Sequence, residues 1–202
     1  MSTELPPARK DSEAIQILAT EHWSLLATRA LTYQESFSRV NMFLTILSGA
    51  VIALALVAQA DRFGTTFIAV AIFMLTVVFI TGVATVRRLV MLNRDDYKWV
   101  VGMNRLRHAY LELHPELEPN FITSPYDDLQ GALATLGLDP ISAPTLGTIF
   151  HGLVTLPGIL GVIVASVAGA IAALAGAGFG APAYVVILLG AAAFAATLAV
   201  MA

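Results

Sequence analysis

Charged side chains are confined to two parts of the chain, and apolar runs long enough to cross a bilayer lie between and after them. Residues 40–60 and 63–86 contain no Asp, Glu, Lys or Arg, and neither do the 63 residues after Asp139. A membrane span needs about 20 mostly apolar residues at a rise of about 1.5 Å each. The last run is too long for one helix. Gly176, Gly178, Gly180 and Pro182 interrupt it, and such residues cluster at turns. The pattern therefore predicts four spans, over 40–60, 63–86, 153–175 and 182–201. Pro157 should kink the third or mark its true start.

The flanking polar parts keep a helical period. Residues 12–60 contain no proline, and neither do residues 65–114. Each stretch can be one continuous helix that leaves the membrane and runs on into water. Asp11 or Ser12 can cap the first, because a short oxygen side chain accepts from free backbone N–H groups. Pro115 should stop the second. Trp23, Leu26, Ala30, Tyr33 and Phe37 follow the alternating three–four spacing of a coiled-coil stripe. Leu89, Leu92, Asp96, Trp99 and Met103 repeat it on the other arm. The short turn at Asp61–Arg62 makes the arms antiparallel. That register pairs Phe37 with Leu89, Tyr33 with Leu92, Ala30 with Asp96, Leu26 with Trp99, and Trp23 with Met103. Asp96 is the one polar position in this seam, with Arg29 or Arg94 as its partner.

Residues 115–150 read as a connector. Ser124-Pro125-Tyr126-Asp127-Asp128 has the form of a helix start, with Ser124 as cap and the two aspartates at the positive end of the helix dipole. That helix should end at Gly137. Asp139-Pro140 and Ala143-Pro144 read as loop.

Composition agrees with a membrane protein: 57% of the 202 residues are hydrophobic and 12% are charged. Soluble domains carry about 25% charged residues. The formal net charge of −3 gives no basis for nucleic-acid binding. Nine charges in the first 39 residues place the first apolar run too far in for a cleaved leader. Ten of the eleven Lys and Arg flank the first two spans on one side, and only Arg62 lies in the turn between them. Basic residues are retained in the cytoplasm. The expectation is a multi-pass protein of the inner (plasma) membrane with both termini cytoplasmic. Arg87 and Arg88 stand where anionic headgroups would be felt.

Candidate chemistry is sparse. The chain has no cysteine. His108 and Glu112 share a helix face, with His114 and Glu116 just beyond, but two residues do not make a metal site. Asp95-Asp96 beside Arg94 and Lys98 reads as a patch of local ion pairs. The sequence Gly176-Ala-Gly-Phe-Gly180 follows no strand and lacks a suitable lysine, so it reads as a tight interhelical turn and not a phosphate cradle. No cofactor, metal or catalytic function is expected, and the chain does not read as an enzyme. Gly161, Ala165, Gly169 and Ala173 recur every fourth residue on the third span, which lets helix backbones approach closely. Ala192 and Ala196 repeat this on the fourth. No span holds an acidic or basic side chain of the kind proton relays and voltage sensors use. Asn41, Thr45, Ser48, Thr76, Thr81 and Thr85 are polar side chains of the first hairpin, and these, or apolar rings, could line or gate a pore.

Residues 12–115 thus pair an aromatic amphipathic helix (Trp23, Ala30, Tyr33) with a two-span hairpin and a charged returning helix, Arg87 to Leu113. This architecture resembles the SLATT families of small prokaryotic two-span membrane proteins. The resemblance implies a pore-forming effector beside nucleotide-signal systems, and the second hairpin is an addition to that pattern. The expected fold is all-α, an integral membrane protein with four transmembrane helices, two of them extended into a cytoplasmic antiparallel stalk. Its parts are an N-terminal amphipathic helix (1–39), a first transmembrane hairpin (40–86), a cytoplasmic helical segment and connector (87–150) and a second hairpin (151–202). The expected function is a homo-oligomeric channel or pore-forming effector in the lipid bilayer. The alternative is a non-conducting scaffold whose stalk binds a cytoplasmic protein partner.

Overall fold

The structure is a computed structural model describing residues 7–137 and 155–201. It is an all-α protein with four helices long and apolar enough to cross a membrane. In chain order these elements are α1 (Pro7–Asp61), α2 (Thr65–Leu113), a 3-10 helix (Pro115–Asn120), α3 (Leu129–Thr135), α4 (Leu156–Gly178) and α5 (Ala183–Met201). The loops expected at Asp139-Pro140 and Ala143-Pro144, and the expected start of the third span at Leu153, lie outside the described residues.

Length alone shows that α1 and α2 do more than span a bilayer. At the α-helical rise the 55 residues of α1 extend about 80 Å, against a hydrocarbon core of about 30 Å. The chain is already helical at Pro7, the first described residue, ahead of the expected cap at Asp11 or Ser12.

Asp61 organises the turn into α2. Its carbonyl accepts from Gly64 N at 2.9 Å, and its carboxylate Oδ2 accepts from Phe67 N at 2.7 Å. Between them Arg62 (φ 49°) and Phe63 (φ 63°) both take left-handed conformations. Non-glycine residues enter that region at about 1–2 kcal/mol each, so the hydrogen bonds of Asp61 offset a local strain.

Pro157 marks a start and not a kink: α4 begins at Leu156, and Thr155 Oγ1 caps it by accepting from Gly158 N at 3.3 Å. The helix continues through Gly176 to Gly178, three residues beyond the expected end. It is Gly180 that breaks it, by taking φ 73°. Ala181 N then donates to Gly176 O at 3.0 Å, and Gly180 N to Ala177 O at 2.9 Å, which satisfies the last carbonyls.

Two compact units form. Of the described residues, one contains 7–35 and 92–137. Its core is Val100, Met103 and Ala132, packed against Leu25, Tyr97, Val101 and Leu136. Asn104, fully buried, pins α3 and the preceding loop onto α2. Its Nδ2 donates to Tyr126 O at 2.8 Å, and its Oδ1 accepts from Thr135 Oγ1 at 3.0 Å and from Arg107 Nη1 at 2.6 Å. The cap of α3 is Asp128, whose Oδ1 accepts from Gly131 N at 2.7 Å. Ser124, the expected cap, instead accepts from Tyr126 N and shapes the loop. A β-carbon at Gly131 would lie 2.2 Å from Tyr126 O, so the loop and helix can meet only at glycine.

Of the described residues, the other unit contains 36–91 and 155–201. Phe43, Val78, Val86, Leu89, Leu160, Val164 and Ala165 are buried there. Gly82 is the closest crossing. A β-carbon on it would lie 2.5 Å from Val164 Cγ2 and 2.9 Å from Phe43 Cε2, so three helices share the space a side chain would fill. Helix α5 packs on α4 but has no buried residue of its own.

Candidate functional site: the exposed face of α1

In the unit that holds Asn104, α1 and α2 meet at the expected depth at Asp96, but with α1 turned and with the pairing sliding along α2 toward Tyr110. Arg29, not Ala30, meets Asp96: its Nε donates to Oδ1 at 2.7 Å and its Nη2 to Oδ2 at 3.2 Å. Tyr33 closes the cluster. Its hydroxyl accepts from Arg29 Nη2 at 3.1 Å and donates to Asp96 Oδ2 at 3.2 Å. The hydrogen bond to Asp96 holds the Arg29 guanidinium above its ordinary pKa. One turn away, Leu25 approaches Gly102, where a β-carbon would lie 3.2 Å from Leu25 Cδ1. Farther along, the ring of His22 stacks on Tyr110 with centroids 6.0 Å apart. Burial, and then the charge of Arg107, lower the His22 pKa. Burial, and then the charge of Arg29, lower that of Arg107, while burial raises that of Tyr110.

The stalk seam is therefore corrected on one arm. Leu89, Leu92 and Met103 of α2 are buried as expected. Trp99 is partly buried, and its indole N–H is enclosed with no hydrogen-bond partner among the described residues. On α1 the expected stripe faces outward: Trp23 is 71% exposed, Phe37 58%, Tyr33 47% and Leu26 43%, and Ala30 is exposed. The inward stripe lies one residue back, about 100° around the helix, through His22, Leu25, Arg29 and Thr32. The reason is electrostatic. A mostly buried carboxylate needs a counter-ion, and turning α1 by one residue offers Asp96 an arginine in place of an alanine methyl.

The small-residue ladder splits. Gly169 of α4 crosses Gly190 of α5, and a β-carbon on Gly169 would lie 2.9 Å from Gly190 O. Ala173 meets the same crossing, 3.4 Å from where a Gly190 β-carbon would stand. Ala165 is buried. Gly161 is buried too, but a β-carbon there would meet nothing within 4 Å. On α5 the expected Ala192 and Ala196 are exposed, and the residues that meet the glycines of α4 are Val186, Leu189, Gly190 and Phe194. A glycine that removes its whole side chain lets backbones meet, and Gly190 does so where two alanines cannot.

Arg87 is exposed and Arg88 partly so. His108 and Glu112 form a solvent-facing pair at 3.6 Å, and His114 and Glu116 another at 3.0 Å. Hydrogen bonds from its own backbone N–H and from His114 lower the pKa of Glu116. Among the described residues no three His, Asp or Glu are grouped to hold a metal. Asp95 pairs locally with Lys98 at 2.8 Å.

The Asn104 cluster was missed by the sequence reading. Its only signal is a carboxamide at a position where Val100 and Met103 are core, and the groups it bonds come from a loop and helix that periodicity does not place. Comparisons with family models, with characterised proteins and with solved structures found no match for this chain.

Proposed function

We propose that this protein is a homo-oligomeric membrane channel whose copies associate through the outward stripe of α1. The observation that carries this reading is the exposure of Trp23, Leu26, Tyr33 and Phe37 at coiled-coil spacing, ahead of the first span. Lipid tails cover apolar side chains within the bilayer but not in water, and large exposed apolar patches on soluble surfaces mark interaction sites. Identical copies in one bilayer share depth and orientation, so the stripe of one copy meets that of the next at the same height.

Four short spans leave a single copy little room for a transport path of its own, so the path runs between copies. The resemblance of residues 12–115 to SLATT pore-forming proteins agrees with this. In this reading the protein sits in the inner membrane with both termini cytoplasmic, and Arg87 and Arg88 lie near the anionic headgroups of that face.

The test uses purified protein in detergent and in liposomes. The wild type should have the mass of several copies and should release a trapped ion gradient. Trp23→Ser combined with Phe37→Ser should lower both the mass and the flux while leaving helicity unchanged. A monomeric wild type overturns the reading. An oligomer that holds the gradient makes the protein a scaffold instead.

A further inference from the structure

Within the spans, α1 carries one outward face that differs from the rest. Ser38, Asn41, Thr45, Ser48, Ile52, Ala55 and Gln59 follow one another at intervals of three and four residues, and all seven are exposed. From Asn41 to Gln59 this face runs about 27 Å along the axis, close to the thickness of the hydrocarbon core. Phe43 and Ala50, on the far side of the helix, are buried. Between the two faces the exposed residues are apolar, among them Met42, Leu44 and Ile46.

Three hydroxyls on the second arm of the first hairpin have local partners. Thr76, Thr81 and Thr85 of α2 each donate to the carbonyl four residues earlier, at 2.7–2.9 Å, and Thr85 is buried. Thr45 does the same to Asn41 O at 2.8 Å, so its hydroxyl alone would tolerate lipid. The carboxamides of Asn41 and Gln59 each bring two donors and an acceptor that a helix does not supply. They stand at the two ends of the face, where a bilayer places them near its headgroups and water, and it is Thr45 and Ser48 between them that carry polar groups into the depth of hydrocarbon.

We infer that this face of α1 lines the water path between copies and that Ile52 forms its constriction. The inference rests on the channel reading and names the residues of the path. Ile52 is 63% exposed and is the one large apolar side chain in the row. A ring of Ile52 side chains, one from each copy, would interrupt a polar lining with an apolar collar, and narrow apolar collars close by dewetting. The spacing also bears on geometry. A repeat averaging three and a half residues drifts slowly around a straight helix, so copies that keep this face toward one axis wind around it with a left-handed supercoil.

The chain contains no cysteine, so each single-cysteine variant carries one thiol. Variants at Thr45, Ser48, Met42 and Ile46, reconstituted in liposomes, are treated with a membrane-impermeant cationic methanethiosulfonate while ion flux is followed. Thiols at 45 and 48 should react at least about tenfold faster than those at 42 and 46, and their modification should block flux, as expected for a lining against a lipid face. Ile52→Ser should raise resting flux severalfold, whereas Ile52→Leu should keep the wild-type rate. Flux with unreactive thiols at 45 and 48 overturns the assigned lining and leaves the channel. Reactive thiols at 45 and 48 without flux from the wild type or Ile52→Ser overturn the channel and leave a water-facing stripe. Unchanged flux in Ile52→Ser, with 45 and 48 reactive, overturns the constriction.

Discussion

Arg29 Nε lies 2.7 Å from Asp96 Oδ1, a charge-assisted hydrogen bond across 67 positions of sequence, with both side chains less than a quarter exposed. Hydrogen bonds to charged groups contribute about 1.5–3 kcal/mol, and removing one partner leaves the other charge desolvated. Arg29→Met should therefore lower unfolding stability by about 1–3 kcal/mol, and the double variant with Asp96→Asn should recover part of that. Denaturation of the four members of the cycle measures the coupling. A coupling near zero would mean that the pair does not fasten α1 to α2.

Gly169 and Gly161 are expected to behave oppositely although they belong to the same ladder. A Gly169 β-carbon would press on a backbone oxygen that cannot rotate away. Gly169→Leu should cost about 1–3 kcal/mol or more, by overpacking. Gly161→Ala meets open space and should be neutral or slightly stabilising, since alanine is the better helix former. Thermal midpoints of both variants in one detergent make the comparison.

His22 gives the pairing of α1 with α2 a pH dependence of known sign. Its folded pKa is lowered from 6.5, by burial first and by Arg107 second, so the unfolded chain binds a proton more readily than the folded one. The stability it contributes is complete above 6.5 and is lost as pH falls from there through the lowered folded value. The thermal midpoint of the wild type should drop on acidification through that window, and His22→Gln should drop less. Equal slopes would remove His22 as the source.

The topology proposed with the channel function is checked by two cysteines. Thiols introduced at Asp61 and Ser124 should label from opposite sides of sealed vesicles, Asp61 from outside and Ser124 from the cytoplasmic face. Labelling of both from one side would contradict it.

The four spans were legible because absence of charge over about 20 residues is a property of the sequence alone. Depth along the α1–α2 pair was legible as far as Asp96, since a four-residue turn at 61–64 leaves little freedom in register, but not at His22, which stacks on Tyr110. Rotation of α1 was not. Periodicity identifies stripes but does not rank two adjacent ones, and size and hydrophobicity favoured Trp23, Tyr33 and Phe37 over His22, Arg29 and Thr32. That Asp96 would take Arg29 or Arg94 as its partner was legible, but the turn of α1 that brings Arg29 to it was not. The ladder was half legible for a similar reason. Spacing found Gly169, but whether a small residue touches anything depends on the helix opposite, and α5 presents Gly190 and not its alanines.

Gly82 sets a rule for how this sequence can change over time. Most spanning positions that face outward accept any apolar side chain, so drift there erases similarity quickly without harm to the fold. Position 82 has no such latitude, because Phe43 and Val164 already occupy the room a methyl group would need. A homologue whose spans have diverged beyond recognition should still carry glycine there, or carry a smaller residue at 43 and 164 in the same lineage. The missing side chain is thus a more durable mark of ancestry than the hydrophobic residues around it.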